Sequence, residues 1–263
     1  MDQGSEHVVE NRRHWDAMAD EWVAAGERAW ATAEPSWGMW HVPDDEVDLI
    51  PRDLSGLAAI ELGCGTAYWS AWLARRGARV VGVDNSAAQL ATARRLADEY
   101  GIDLRLLHAN AEEVPLLDQS FDLAFSEYGA AIWCDPYRWI PEVHRLLRPG
   151  GTLTFLGTST WAVVCSPRDG SGPCTTRLER DYFDLYRLDW RDAVEDPGGI
   201  EFALPISEWF ALFRQTGFDV LDFRELRAPD PTVGVRYFAS AEWAHRFPSE
   251  QIWHVRKQTD HTG

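Results

Sequence analysis

A chain of 263 residues with 45% apolar content can build one large domain with appendages around a buried core. Its 25 basic residues stand against 42 acidic ones, for a net charge of −17, and Lys257 is its single lysine. Binding through phosphate needs clustered cations, so nucleic acid is excluded as an expected partner, and a neutral or cationic small molecule fits the charge better.

The first residues lack the basic-then-apolar profile of a secretory signal, and the longest uncharged stretch, 149–167, is broken by glycines and prolines. A cytoplasmic protein that does not enter the membrane is therefore expected. Cysteines stand at 64, 134, 165 and 174 without a C-x-x-C pair or histidines at zinc spacing, so no metal site is expected. Free thiols are expected as well, with pairing of Cys165 and Cys174 across their Ser/Gly/Pro loop left open.

Residues 1–50 read as an N-terminal helical extension carrying Trp15, Trp22, Trp30, Trp37 and Trp40. The run Trp37-Gly38-Met39-Trp40-His41 lies between Pro35 and Pro43, so it reads as a loop. Its rings could be packing anchors, or they could wall a pocket that attracts a cation.

From 51 to 157 the pattern alternates strand and helix. It predicts strands near 57–62, 79–84, 103–108, 121–126 and 151–157, with helices near 67–76, 86–100 and 136–147. Such alternation makes a doubly wound α/β fold with a parallel sheet. It halts over 158–203, an insert long enough to act as a lid beside the carboxyl edge of the sheet. Residues 204–263 then complete the sheet. A helix near 205–216, a strand over 218–226 and a last strand near 233–239 are expected there. A terminal helix capped by Ser249, with Ile252, Val255 and Arg256 at helical spacing, ends the pattern.

The chemistry concentrates at Glu61-Leu62-Gly63-Cys64-Gly65-Thr66, where the first strand turns through glycines into a helix. Such a turn brings backbone close to a ligand and aims helix amides at it. The next strand ends in Asp84, placed to grip ribose hydroxyls. A dinucleotide is disfavoured because the spacing is Gly63-x-Gly65-x-x-Tyr68, with tyrosine in place of the third glycine. Glu61 would also repel phosphates and suit a cationic ligand bearing an amino acid.

These residues resemble the class I S-adenosylmethionine-dependent methyltransferases. Glu61–Thr66 looks like their first motif, Gly82-Val83-Asp84-Asn85-Ser86 like the second, and Asn110-Ala111-Glu112-Glu113-Val114-Pro115 like the third. Ser120–Phe125 and Leu146–Gly151 complete the series in order. The resemblance implies a Rossmann-like seven-stranded sheet of order 3-2-1-4-5-7-6 with its last strand antiparallel. It implies S-adenosyl-L-methionine as cofactor, held by Glu61, Gly63, Cys64, Gly65, Asp84, Asn85, Asn110, Ala111, Glu112 and Ser126. Asn110 departs from the usual aspartate, which weakens its contact with adenine.

The resemblance further implies methyl transfer to a small-molecule acceptor by in-line displacement. Many relatives carry a histidine pair near Ile132-Trp133 that this chain lacks. Glu127, Tyr128 and His41 are the candidates for moving a proton, and Trp37, Trp40, Tyr128 and Trp133 are the candidate pocket lining. The D/N-P-P-Y/F sequence of exocyclic-nitrogen methylation is absent, which again disfavours nucleic acid. A cofactor-binding enzyme of the same fold that rearranges or cyclises its substrate is the alternative reading. The acceptor, its reacting atom and the oligomeric state are left open.

Overall fold

The computed structural model describes residues 5–193 and 198–259. The extreme ends of the N-terminal and C-terminal segments, and residues 194–197 of the insert, lie outside the described residues.

Seven strands form the central sheet: β1 (Ala58–Leu62), β2 (Arg79–Asp84), β3 (Arg105–His108), β4 (Phe121–Glu127), β5 (Leu147–Thr158), β6 (Phe218–Leu226) and β7 (Glu250–Lys257). Their spatial order is 3-2-1-4-5-7-6. Strands β1 to β5 run parallel, while β7 is antiparallel to both β5 and β6. Strand residues alternate between two cores, as the pleat requires. Ala59, Val80, Leu123 and Phe125 pack with Trp69 and Trp72 on one face. Ile60, Leu62, Val81, Val83 and Phe155 pack on the other with Trp139, Val143, Trp209 and Phe213.

The main helices are α1 (Glu6–Ala31), α2 (Tyr68–Arg75), α3 (Ala87–Tyr100), α4 (Pro136–Leu146) and α5 (Ile206–Thr216). Helix α3 starts where Ser86 Oγ accepts the Gln89 amide at 3.1 Å and stops at Gly101 in the left-handed region. Helix α4 has Asp135 as its cap and Pro136 in its first turn.

The C-terminal expectations need correction. Residues 233–239 hold no strand of the central sheet; Val235–Arg236 and Ala239–Ser240 pair with each other in a small hairpin. The seventh strand is β7, where a helix was expected. Ile252 faces one core, while Trp253 and Val255 face the other, so a strand inserted mid-sheet buries all three. That tertiary burial outweighs the local helical spacing. Among the described residues the helix nearby is Ala241–Arg246, capped by Ser240, and Ser249 Oγ instead accepts the Trp40 indole N–H at 2.8 Å.

Within the insert, a short helix (Thr160–Cys165) and a hairpin (Arg187–Asp189 with Ile200–Phe202) supply regular structure. No helix among the described residues is long and apolar enough to cross a membrane. No group of three or more His, Cys, Asp or Glu side chains among the described residues is placed to hold a metal ion.

Candidate functional site

The turn after β1 is held in place from β2. The amides of Gly63 and Cys64 both donate to the Val83 carbonyl, at 2.8 and 3.0 Å. Gly63 has φ +73°, and a Cβ there would stand 2.5 Å from the Ala130 amide. Only glycine lets the loops after β1 and β4 touch. Around Gly65 the turn opens: a Cβ there would meet nothing nearer than Gln89 Oε1 at 4.0 Å. Asp84 Oδ2 accepts the Gly65 amide at 2.7 Å, and Oδ1 accepts the Ser86 amide at 2.8 Å. The carboxylate is thereby fixed at the mouth of the turn. Burial raises its pKa, against the pull of those two amides.

Glu61 lies beneath the same turn. It is buried, and its Oε2 accepts both the amide and the hydroxyl of Ser70, in the first turn of α2. Burial, opposed by these bonds, pushes its pKa to about 8, with Glu127 and Asp84 adding repulsion. Cys64 is buried beside it, its thiol pKa raised by desolvation. Asn110 Oδ1 accepts the Glu112 amide at 3.0 Å, and Ala111 is buried in the adjoining core.

A second set of buried acids adjoins the turn at the tip of β4. Glu127 Oε2 accepts the Tyr68 hydroxyl, and its Oε1 accepts the Gly38 amide at 2.7 Å. Glu250, at the start of β7, accepts both the Met39 amide (2.8 Å) and the Tyr128 hydroxyl (2.6 Å) on Oε1. Its Oε2 is buried without a hydrogen-bond partner. Because the amides of consecutive residues hold them, the two carboxyls sit side by side. Desolvation, with repulsion from Glu127, raises Glu250 to about 8; burial raises Glu127 as well. Both phenols are pushed well above the ordinary tyrosine value by burial and these acids, with Tyr237 close enough to contribute. Tyr128 reaches Glu250 from a left-handed backbone (φ +55°), a conformation that disfavours a bulky side chain.

Helix α1 crosses this carboxyl edge. His7 Nε2 meets Glu112 Oε1 at 2.5 Å, and Asn11 bonds the Trp133 carbonyl and both backbone groups of Ile200. Asn85 accepts from Arg12 and donates to the Val8 carbonyl. Asp16 Oδ1 accepts the Ser86 hydroxyl (2.7 Å) and the Ala88 amide (3.2 Å) at the start of α3. Near its other end, Trp30 Nε1 donates to the Thr66 carbonyl at 2.7 Å, inside the glycine turn.

Several residues picked out in the sequence lie elsewhere than expected. Trp37 is fully buried, packed on Trp69 and Phe125, with its Nε1 donating to Asp44 Oδ1 at 2.7 Å. Trp40 is 4% exposed in the same core, with Arg236 over its ring. Ser126 is enclosed, since its hydroxyl joins the Leu62 carbonyl to the Ala131 amide. The residue at this strand tip that enters the acid cluster is Glu127. His41 is exposed, its pKa lowered by partial desolvation and by Arg236 and Arg28. Trp133 is half-buried between His14 and Trp15 of α1.

Sequence reasoning missed Glu250, Tyr237, His7 and Asp16, which lie far along the chain from the motifs. Tyr68 was visible only as the residue in place of a third glycine.

Comparison with known proteins matches residues 60–155 to the family described as "Methyltransferase domain". A malonyl-[acyl-carrier protein] O-methyltransferase from Pectobacterium atrosepticum is 37% identical over 102 residues, 38% of this chain and 38% of that protein. The chain spans less than half the length of the curated relatives it matches. A solved S-adenosylmethionine dependent methyltransferase from Mesorhizobium loti superposes with a TM-score of 0.63 at 23% identity, covering 80% of this chain and 95% of that one. The [4+2]-cyclase SpnF superposes with a TM-score of 0.63 at 20% identity, covering 95% of each chain. At such identities these two share the fold alone.

Proposed function

We infer, from a chain whose residues 60–155 match a methyltransferase domain, that the protein binds S-adenosylmethionine and directs its methyl group to a small-molecule acceptor. When bound, that cofactor supplies a methyl group on a positively charged sulfur. One observation carries the reading: two carboxyls hold the glycine turn, Asp84 at its mouth through the Gly65 amide and the buried Glu61 beneath it through Ser70. Buried carboxyls gathered in this way favour a cationic ligand, whose charge relieves their repulsion.

Asp84 is oriented by two amides to accept ribose hydroxyls, and Gly65 leaves room for the ligand to approach the backbone. Glu61 sets the turn by holding the start of α2. Its carboxyl lies beneath the place where the amino-acid end would rest, and a cationic amino group there would draw it into the charged form. Asn85, Asn110, Ala111 and Glu112 form the loop ends where the adenine would lie. Helix α1, laid across this edge, would exclude water from the methyl transfer, and the chain's part in the reaction is mainly to hold the acceptor in line.

Nucleic acid is not the acceptor in this reading, because a chain at −17 has few ways to neutralise phosphates. The shared fold of a cyclase does not separate methyl transfer from rearrangement, whereas the family match is to a methyltransferase domain. Calorimetric titration with S-adenosylmethionine tests the cofactor, and release of S-adenosylhomocysteine during incubation with candidate acceptors tests the transfer. Absence of any cofactor binding would overturn the proposal.

A further inference from the structure

We propose that Glu250 and Glu127, with Tyr128 and Tyr68, form the site that receives the acceptor's reacting end, and that this end is an amine. The inference rests on the methyltransferase reading given above and names its substrate class.

The cluster adjoins the glycine turn without belonging to the cofactor motifs. Tyr68 lies in the first turn of α2, three residues after Gly65. Glu127 ends β4 and Tyr128 follows it, next to Gly129, whose backbone packs against Gly63. An acceptor held there stands beside the end of the turn where the charged sulfur would lie.

Three features go beyond a set of acids that merely brace the fold. First, Glu250 Oε2 is a fully buried oxygen without a partner, while Oε1 of the same carboxyl takes two donors. Buried polar atoms left alone are destabilising and rare, and this one offers a place for an incoming N–H. Second, the backbone is shaped around this carboxyl. Gly38 has φ +66°, and a Cβ there would lie 2.1 Å from Glu250 Oε1. The absence of a side chain lets consecutive amides take one carboxyl each. Third, the surrounding groups are oxygens and aromatic rings. Tyr237 lies close enough to the phenols of Tyr68 and Tyr128 to influence both, and it stacks on Trp22 at 6.0 Å.

Among the described residues Arg236 is the cation near this set, and it donates to the Met39 carbonyl and lies 5.8 Å over the Trp40 ring. One arginine does not balance both carboxyls once they ionise. An ammonium has the donors to bridge them and the charge to ionise them. One carboxylate then takes a proton from it, and the freed nitrogen lone pair forms the N–C bond as the methyl–sulfur bond breaks and S-adenosylhomocysteine leaves. A neutral hydroxyl brings one donor and no charge, and a carboxylate or phosphate would be repelled.

The experiment uses the whole chain, with 2-phenylethylamine and its neutral isostere 2-phenylethanol as probes. S-adenosylhomocysteine binding is measured first by calorimetry in the wild type, Glu250→Gln and Glu127→Gln. Each probe is then titrated into the cofactor-saturated and cofactor-free proteins. The amine is expected to bind the wild type at least tenfold more tightly than the alcohol. Glu250→Gln is expected to lose that preference while keeping S-adenosylhomocysteine affinity, with Glu127→Gln showing a smaller loss. Equal binding of amine and alcohol, no binding of the amine, or undiminished amine preference in both variants would each overturn the proposal. Failure of the wild type to bind S-adenosylhomocysteine would overturn the cofactor reading instead. If Glu250→Gln unfolds, as judged by circular dichroism, Glu127→Gln and Tyr128→Phe carry the comparison, and an amine preference unchanged in both overturns it.

Discussion

His7 Nε2 lies 2.5 Å from Glu112 Oε1, which joins the first turn of α1 to the loop that follows β3. Both groups are buried, and Glu112 Oε1 also accepts the Asp135 amide at 2.8 Å. With the bonds of Asn11, Asp16 and Trp30, this contact straps α1 over the carboxyl ends of the strands. A ligand entering beneath α1 has to work against those bonds.

Replacing His7 by alanine removes the strap's outermost tie and should cost about 1–3 kcal/mol. Amide exchange within residues 6–16 should quicken severalfold, while β1, β4 and β5 keep their protection. Exchange in α1 equal to wild type would show that His7 does not hold the helix down.

Asp84→Ala should weaken S-adenosylmethionine binding at least tenfold, since a charge-assisted hydrogen bond is worth roughly 1.5–3 kcal/mol. The substitution also strips the Gly65 amide of its acceptor, so the turn itself loosens. Asp84→Asn keeps an oxygen acceptor without the charge and should fall between the two. Calorimetry decides the order, and wild-type affinity in the alanine variant would remove the ribose assignment.

The ligand-free protein should lose thermal stability as pH rises from about 5 to about 8. Glu61 and Glu250 have folded pKa values of about 8, above those of an unfolded chain. Between the two values the unfolded state ionises while the folded state keeps its protons. The folded state therefore binds more protons, and stability falls with rising pH until the folded groups ionise. Below the unfolded pKa the contribution is fully present. Melting curves across this range should show a downward slope, and Glu250→Gln should reduce it. An unchanged slope would assign the effect to other groups.

Trp37→Ala should destabilise the fold by about 3–5 kcal/mol, as expected when a fully buried aromatic ring leaves a cavity. Asp44 would lose its indole donor as well. Denaturant unfolding measures the loss, and cofactor affinity in the folded fraction should stay at the wild-type value. A normal stability with altered ligand binding would instead return Trp37 to a pocket wall.

Strands β1 to β4 and helices α2 to α4 were legible because these strands are short apolar runs and these helices carry a cap or a glycine stop, whereas the uncapped short helix Gly129–Trp133 was not expected. Glu61, the two glycines and Asp84 could be read as one site because they lie within 24 residues and a single crossover unit. Glu250 was not legible: it meets Tyr128 across 122 residues, and nothing local distinguishes it from other acids. The segment 250–257 misled because Ile252 and Val255 fit a helix as readily as a strand, and only burial between β5 and β6 decides. Trp37 misled because a loop flanked by prolines gives no hint that its ring turns into the core.

Strand β7 also bears on assembly. It enters between β5 and β6, although about 90 residues separate it from β5 in the chain. Until it arrives, β5 presents an unpaired edge and the ring of Trp253 has no place to pack. A sheet closed by so distant a segment is expected to form slowly, because loop closure precedes its reward. Since β7 also brings Glu250, the acid cluster is assembled only when the sheet is complete. A partly folded chain could hold the glycine turn and Asp84 in place and still lack the carboxyl that joins Tyr128 to the Met39 amide.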